Sequence, residues 1–345
     1  VNDPAAAFPA LLRQVLAGRS LGREEARLAF EAIMEGSVPP ASLAAFLTAL
    51  RLRGETREEI NAGAEALRAR MTRVPTRHPE VLDTCGTGGA AAGTFNISTL
   101  ASLVVAAAGV PVAKHGNRSA TRPCGSADLL ESLGIRADQS AEEASASLDD
   151  VGYAFLFAPR LHPAMRHAAP VRRELGVRTV FNLIGPLANP AGARLQVLGV
   201  YDRAWVEPLA QVLADLGVRR ALVVHGGGTD EIALHAPTEA AEVAEGRVLR
   251  RTVKPEDAGL EPAPLEAITG TTRDQLVALA TRILQGTERG PRRDVVVFNA
   301  AAALCVAGRA EDLRGGALAA ATVLDDGRAW DLVERLRQRS PFLGE

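Results

Sequence analysis

Residues 81–126 read VLDTCGTGGAAAGTFNISTLASLVVAAAGVPVAKHGNRSATRPCGS, and their order decides the fold class. A short apolar run, Val81-Leu82-Asp83, ends in Gly86-Thr87-Gly88-Gly89; Thr94, Asn96, Ser98 and Thr99 then open a small-residue helix predicted over Ser98 to Ala108. A second apolar run, Val110 to Ala113, ends in Lys114-His115-Gly116-Asn117-Arg118-Ser119, and another helix is expected from Ser126 to Leu133. Strand, polar glycine loop, helix, twice in succession, predicts a mostly parallel sheet covered on both faces. The runs YAFLFAP, LQVLGVY and RRALVVHGGG continue the pattern, with helices expected over Glu142 to Asp149 and Val206 to Leu216. The stretch EIALHAPTEAAEVAEG reads as a hairpin or meander inserted in the second half.

Upstream of this block the character is different. From Phe8 to about Met71 apolar residues fall three or four apart (Leu11, Leu12, Val15, Leu16; Leu28, Phe30, Ile33, Met34), as helices require. Ser20 with Glu24, and Pro39-Pro40, read as helix starts. The proline-containing RMTRVPTRHPE then reads as a linker, and Arg166 to Leu187 is helical again, positioned to return to the N-terminal helices. The expected architecture is α/β, a small all-helical domain hinged to a larger α/β domain. The expected boundaries are 1–75 plus about 165–187 for the helical unit, and 80–160 plus 190–345 for the α/β unit.

The 345 residues carry 47% hydrophobic and 23% charged side chains with a formal net charge of -2, ordinary globular usage that excludes a disordered chain. Without a basic balance or tail, neither nucleic acid nor membrane is expected as a partner. Three dispersed cysteines, Cys85, Cys124 and Cys305, form no zinc ladder, and the cytoplasm is the expected compartment. Residues 84–113 are free of charge, but their continuous apolar part, Leu100 to Val112, is only thirteen residues. A spanning helix needs about 20. Among 39 Lys+Arg residues, only Lys114 and Lys254 are lysine. Lys114 lies inside the second glycine loop, whereas Lys254 lies in a loop without a motif and reads as surface charge.

The chemistry-bearing residues fall into four groups. Glycines in the first loop let backbone N–H groups approach an anion, and the helix N-terminus adds unpaired donors. Lys114 is a compact cation suited to a polyphosphate or a leaving group. Asp230-Glu231, after HGGGT, suit a hard divalent cation held partly through water, provided that the pair lies in a loop, because on a strand the two would face opposite ways. The stretch LHPAMRHAAPVRRELGVRTVFNLIGPLANP, residues 161–190, supplies arginines for bidentate carboxylate recognition. His162 and His167, five residues apart, fit no one-face helical metal pair. Together these groups point to a sugar phosphate or diphosphate with Mg²⁺ and a second substrate bearing a carboxylate.

In that order, GTGG…GTFNIST, KHGNRS, residues 161–190 and DEI resemble the signature stretches of the anthranilate phosphoribosyltransferase family, and the likeness extends to the final FNAAAALCVAG…GALAAATVLDDGRAWDLVERL. The resemblance implies the class IV phosphoribosyltransferase fold, related to pyrimidine nucleoside phosphorylases, and a homodimer formed through the helical domains. It implies phosphoribosyl pyrophosphate against Gly86, Thr87, Gly88, Gly89, Ala90, Thr94, Asn96, Ile97, Ser98 and Thr99. Lys114, His115, Gly116, Asn117, Arg118, Ser119, Ala120, Thr121, Arg122 and Ser126 would close around the phosphates and ribose. Anthranilate would meet Gly86, Asn117 and Arg172, with His115 and His162 along its approach; Ser98, Asp230 and Glu231 would hold Mg²⁺. Lys114 and Arg172 would carry the catalytic roles. The sequence departs from the family at Ala90-Ala91, where an Asp-Gly is usual.

The expected reaction is displacement of pyrophosphate from ribose C1 by the anthranilate amine, with inversion, in tryptophan biosynthesis. No Ser-His-Asp or Cys-His pattern suggests a covalent route. The rival readings are a pyrimidine nucleoside phosphorylase and a non-catalytic, nucleic-acid-binding relative. The acidic pair and the arginine segment speak against the first, and the net charge of -2 against the second.

Overall fold

The computed structural model describes residues 3–88, 94–119, 124–269 and 272–342. Four helices come first: α1 (Pro4–Leu16), α2 (Arg23–Glu35), α3 (Pro40–Arg53) and α4 (Arg57–Arg70). Helix α2 is capped at Gly22, two residues after the expected start at Ser20, because Glu25 reaches back to the Gly22 N–H at 2.9 Å. That reach needs a spacing of three, which Ser20 and Glu24 lack. Glu59, fully buried, ties the bundle together: its carboxylate accepts from Leu21 N and Thr56 N, both at 2.9 Å, and pairs with Arg53.

The α/β part continues with β1 (Leu82–Gly86), α5 (Ile97–Ala107), β2 (Val112–Gly116), α6 (Ser126–Ser132), α7 (Ala141–Val151) and β3 (Tyr153–Phe157). A broken helical excursion follows: α8 (Ala158–Leu161), a 3₁₀ turn Pro163–His167, α9 (Ala169–Leu175) and α10 (Val180–Ile184). The stretch expected to be helical from Arg166 to Leu187 is thus divided, by Gly176 in the left-handed conformation at the end of α9 and by Thr179, which caps α10. Next come β4 (Leu195–Gly199), α11 (Val206–Asp215), β5 (Arg220–Gly226), β6 (Thr238–Ala244) and β7 (Arg247–Val253). The chain closes with α12 (Arg273–Leu284), α13 (Pro291–Val306), α14 (Leu313–Asp325) and α15 (Arg328–Arg339).

The seven strands form one sheet in the order β3-β2-β1-β4-β5-β6-β7. The first five in chain order run parallel, and β6 and β7 add an antiparallel hairpin at the edge. The hairpin therefore starts later than EIALHAPTEAAEVAEG and runs on to Val253, because residues 231–237 belong to the loop that precedes it. Alternation of side chains along the strands gives the sheet two apolar faces. Leu82, Val112, Tyr153, Leu195 and Leu222 share one core with α5 and α13. Leu198, Ala221 and Val223 share the other with α11, with the four N-terminal helices and with Val171, Phe181 and Ile184 of the excursion. The helical unit thus packs directly on one face of the sheet. Among the described residues no helix is long and apolar enough to cross a membrane.

The chain winds outward from β1 to β2 and β3, then returns to the other side of β1 with β4 and continues to β5. Strand order reverses between β1 and β4. A crevice opens there at the carboxyl ends of the strands, the usual ligand position in an open α/β sheet. Its floor is Gly86 of β1 paired with Gly199 of β4.

Candidate active site

Two glycines at the reversal leave room for a backbone to cross above them. A Cβ on Gly86 would lie 2.8 Å from Asp230 Oδ2, and one on Gly199 would lie 2.6 Å from the Asp230 carbonyl carbon. Asp230 and Glu231 sit in the loop between β5 and β6, so the opposite-face constraint of a strand does not apply to them. Each is 8% exposed. Glu231 Oε1 accepts from the Ser98 N–H at 3.3 Å, at the first turn of α5, where the helix dipole favours a negative charge. Thr84, Ser98, Gly199, Asp230, Glu231 and Asn299 line the cleft between them. Its polar donors are oxygens with two carboxylates, a set suited to Mg²⁺ and poor for zinc. No group of three or more His, Cys, Asp or Glu capable of holding a metal occurs among the described residues. Two carboxylates and a hydroxyl leave positions for ligand oxygens and water.

The hydroxyl-rich residues divide between structure and site. Thr87 N donates to Gly199 O at 2.9 Å, and Thr87 Oγ1 accepts from Tyr201 N at 2.9 Å, so this threonine staples the loop to the end of β4. Gly88 has φ +73, in the left-handed region that glycine tolerates. Thr84 Oγ1 donates to Ser98 O at 3.1 Å, and Thr99 Oγ1 to Ser126 Oγ at 3.1 Å, which joins the starts of α5 and α6. Asn96 Nδ2 donates to Cys124 O at 3.2 Å, and Ile97 is fully buried. Thr94 Oγ1 is buried without a hydrogen-bond partner among the described residues. Gly89, Ala90, Ala120, Thr121 and Arg122 lie outside the described residues, as does Ala91.

The second loop divides in the same way. Lys114 is 1% exposed, and its ammonium donates to the Thr84 carbonyl of β1. Burial lowers its pKa, and the carboxylates of Asp83, Glu231 and Asp230 work in the opposite direction. The cation therefore lies below the loop, against the strand that feeds it. Gly116 ends β2 with its Cα facing Phe155, whose ring would lie 2.6 Å from an added Cβ. Asn117 is exposed, and its Oδ1 accepts from Arg118 N at 2.7 Å. Arg118 pairs with Asp128 at 2.9 Å and Glu131 at 2.6 Å. A Cβ at Gly125 would collide with Ser119 N and lie 2.8 Å from the Arg118 carbonyl carbon, so only glycine lets the loop approach α6.

On the other face of β2, His115 and His162 meet Nε2 to Nε2 at 3.0 Å. Burial drives the His115 imidazole well below its ordinary pKa, and burial lowers His162 to about 4. Both rings are therefore neutral near pH 7, and one Nε2 must donate while the other accepts. This contact joins β2 to the segment that leads into α9. On α9, Arg172 makes no ion pair among the described residues, and its guanidinium lies 5.4 Å from the Phe181 ring centroid. Burial lowers its pKa. A half-buried guanidinium stacked on an aromatic ring keeps its fork available for a carboxylate.

Sequence reasoning missed three supports of this arrangement. Asp83, fully buried on β1, accepts from His115 N at 3.0 Å and from Asn189 Nδ2 at 2.8 Å. Burial raises its pKa to about 6 against the pull of Lys114. A charge inside an apolar strand was the available signal for Asp83, and GPLANP the signal for Asn189. Asn299, in the middle of α13, hydrogen-bonds the backbone of Ile232. Nothing local marked it, since its partner lies 67 residues away. A larger cavity of about 220 Å³, lined by Arg68, Arg73 and Arg194, contains none of the expected site residues.

A helical bundle packed on an α/β unit, with a crevice of glycines, hydroxyls and paired carboxylates at the strand reversal, is the arrangement of a class of group-transfer enzyme. Residues 78–330 match the glycosyl transferase family a/b domain, and residues 9–71 match the helical bundle domain of the same family. The chain is 52% identical over 330 residues to anthranilate phosphoribosyltransferase of Symbiobacterium thermophilum, covering 95% of this chain and 96% of that protein. The enzyme of Pelotomaculum thermopropionicum is also 52% identical, with 96% of each chain covered. The crystal structure of the Thermus thermophilus enzyme superposes with a TM-score of 0.90 at 46% identity, over 95% of this chain and 98% of that one. The Saccharomyces cerevisiae enzyme in complex with PRPP and Mg gives a TM-score of 0.87 at 25% identity, over 97% and 98%. This chain belongs to the anthranilate phosphoribosyltransferase family.

Proposed function

We propose that the protein transfers the phosphoribosyl group of 5-phosphoribosyl 1-pyrophosphate to the amine of anthranilate, releasing pyrophosphate, as a step of tryptophan biosynthesis. The observation that carries the reading is the crevice over Gly86 and Gly199, where Asp230 and Glu231 face the N-terminus of α5. A diphosphate would lie there along the loop 86–89 and the positive end of the α5 dipole, with Thr94, Asn96, Ile97, Ser98 and Thr99 beside it. The second loop, 114–122, and Ser126 close around the phosphates and ribose.

Asp230, Glu231 and Ser98 are the residues that would hold Mg²⁺; bound, it neutralises charge developing on the departing pyrophosphate. Lys114 supports the same charge from below the loop, from its position at the Thr84 carbonyl. Arg172 takes the anthranilate carboxylate in its fork, and Gly86 and Asn117 also meet this substrate. The neutral His115–His162 pair lines the approach without adding a charge that would compete for the carboxylate. The amine already carries a lone pair, so these residues act mainly by positioning it against C1.

We further take 1–75 with about 165–187 as a helical dimerisation unit and 80–160 with 190–345 as the unit binding phosphoribosyl pyrophosphate. Leu16, Leu52 and Val177, exposed by 58%, 81% and 48%, lie on the helical unit and support a homodimer through it. Three free cysteines accord with a cytoplasmic enzyme. The test is to mix protein, anthranilate, phosphoribosyl pyrophosphate and Mg²⁺ and follow loss of anthranilate fluorescence, which is expected to stop on chelation. Phosphorolysis of a pyrimidine nucleoside or tight DNA binding, without that loss, would overturn the assignment.

A further inference from the structure

We propose that Asn299 is a positioning residue that holds the metal-binding carboxylates in register, acting from α13 through the backbone of Ile232. It deepens the reading above and rests on the assignment of Asp230 and Glu231 to Mg²⁺. Ile232 follows directly on that pair. Its N–H donates to Asn299 Oδ1 at 3.0 Å, and its carbonyl accepts from Asn299 Nδ2 at 2.9 Å. One amide side chain thus engages both polar groups of one residue, as a neighbouring strand would.

The surroundings argue that this is an expensive arrangement kept for a purpose. Asn299 is 4% exposed, among Val295, Val296, Phe298, Ala300 and Ala302 in the core. Asparagine is a poor helix former, and a buried amide left unsatisfied is costly. Its second Nδ2 hydrogen goes to Val295 O at 2.9 Å within the helix, so both of its donors are engaged by backbone carbonyls. The loop is fixed at its ends by its own hydroxyls: Thr229 Oγ1 donates to Gly226 O at 2.7 Å, and Ala233 N donates to Thr238 Oγ1 at 3.0 Å. Between these ends the Ile232 backbone is gripped by Asn299 of α13, which lines the same cleft as the carboxylates. Groups that orient metal-binding residues typically change metal affinity 10- to 100-fold when removed.

The experiment measures Mn²⁺ binding by electron paramagnetic resonance, with phosphoribosyl pyrophosphate present and anthranilate absent. Asn299→Ala is expected to weaken Mn²⁺ about tenfold and to speed hydrogen exchange over 230–233, while the KM for anthranilate stays unchanged. Asn299→Asp keeps the acceptor for Ile232 N–H but loses both donors, and its Mn²⁺ affinity should fall between those of the parent and Asn299→Ala. Val306→Ala, a buried change on the same helix away from the loop, should lower Tm and leave Mn²⁺ affinity intact. Lower Tm with unchanged Mn²⁺ affinity in Asn299→Ala and Asn299→Asp alike would reduce Asn299 to a packing residue and refute the proposal. Asp230→Asn separates the premises: if it too leaves Mn²⁺ binding unaltered, the metal assignment itself fails.

Discussion

Gly199→Ala tests the crevice most directly. The new methyl would sit 2.6 Å from the Asp230 carbonyl carbon, with the carbonyl oxygen closer still. Ordinary contact at 3.4 Å requires the Asp230 backbone to retreat by at least about 0.8 Å. Gly199 is paired in register with Gly86, and β4 is flanked by β1 and β5, so the strand itself has little freedom to yield. The displacement therefore falls on the loop that carries Asp230 and Glu231. A misplacement of about 1 Å costs on the order of 10²-fold when reacting groups must be aligned. Overpacking adds about 1–3 kcal/mol of destabilisation. The expected result is a turnover about 10²-fold lower, a higher Mg²⁺ requirement and a modest fall in Tm, with the fold retained by circular dichroism. Fluorescence assays across a Mg²⁺ series, paired with thermal unfolding, give all three quantities. Near-normal turnover and an unaltered Mg²⁺ requirement would refute the claim that Asp230 is held over Gly199 for catalysis.

The other predictions concern separate parts of the molecule. Arg172→Gln removes the guanidinium fork and should raise the KM for anthranilate by about 10²-fold, with the KM for phosphoribosyl pyrophosphate little changed; steady-state titration of each substrate checks it. Glu59→Ala strands Leu21 N, Thr56 N and Arg53 in the helical bundle. It should cost about 3–5 kcal/mol in urea unfolding, whereas Glu59→Gln, which keeps an acceptor, should cost less. His162 has a folded pKa of about 4 because of burial, below the ordinary value near 6.5. Between those values the unfolded chain binds the proton and the folded chain does not, so stability is lost as pH falls from about 6.5 towards 4. His162→Gln should remove about 2 kcal/mol of that loss at pH 5, measured as the difference in urea midpoints between pH 7 and pH 5. An equal pH dependence in variant and parent would show that His162 is not the group responsible.

Much of the architecture was legible along the chain because it rests on local rules. Apolar runs ending in glycine marked β1 and β2, and the helices after them began within a residue or so of Ser98 and Ser126. The segment at 166–187 was legible as helical but not as broken, since Gly176 ends one helix and Thr179 caps the next only once the backbone path is fixed. The acidic pair at 230–231 was visible, and the condition that it lie in a loop was met. A hairpin or meander was expected from residue 231, although the loop takes the first seven residues and only the structure puts the hairpin at the sheet edge.

What the sequence determined by itself was the chemistry on offer: anion loops, hydroxyls at a helix start, two adjacent carboxylates, an arginine segment and, in Lys114, one of only two lysines in an arginine-rich chain. Those are properties of neighbouring residues, and spacing reveals them. Which groups meet was decided by the tertiary structure. Lys114 points into the core at the Thr84 carbonyl, Arg118 is engaged by Asp128 and Glu131, and His115 leaves the opposite face of β2 to meet His162. Gly199 and Asn299 matter only because the strand order reverses at β1 and β4 and brings a distant loop over the first glycine turn. Contacts of that kind depend on strand order and on the packing of α13 behind the loop, neither of which has a signature in any single stretch of residues.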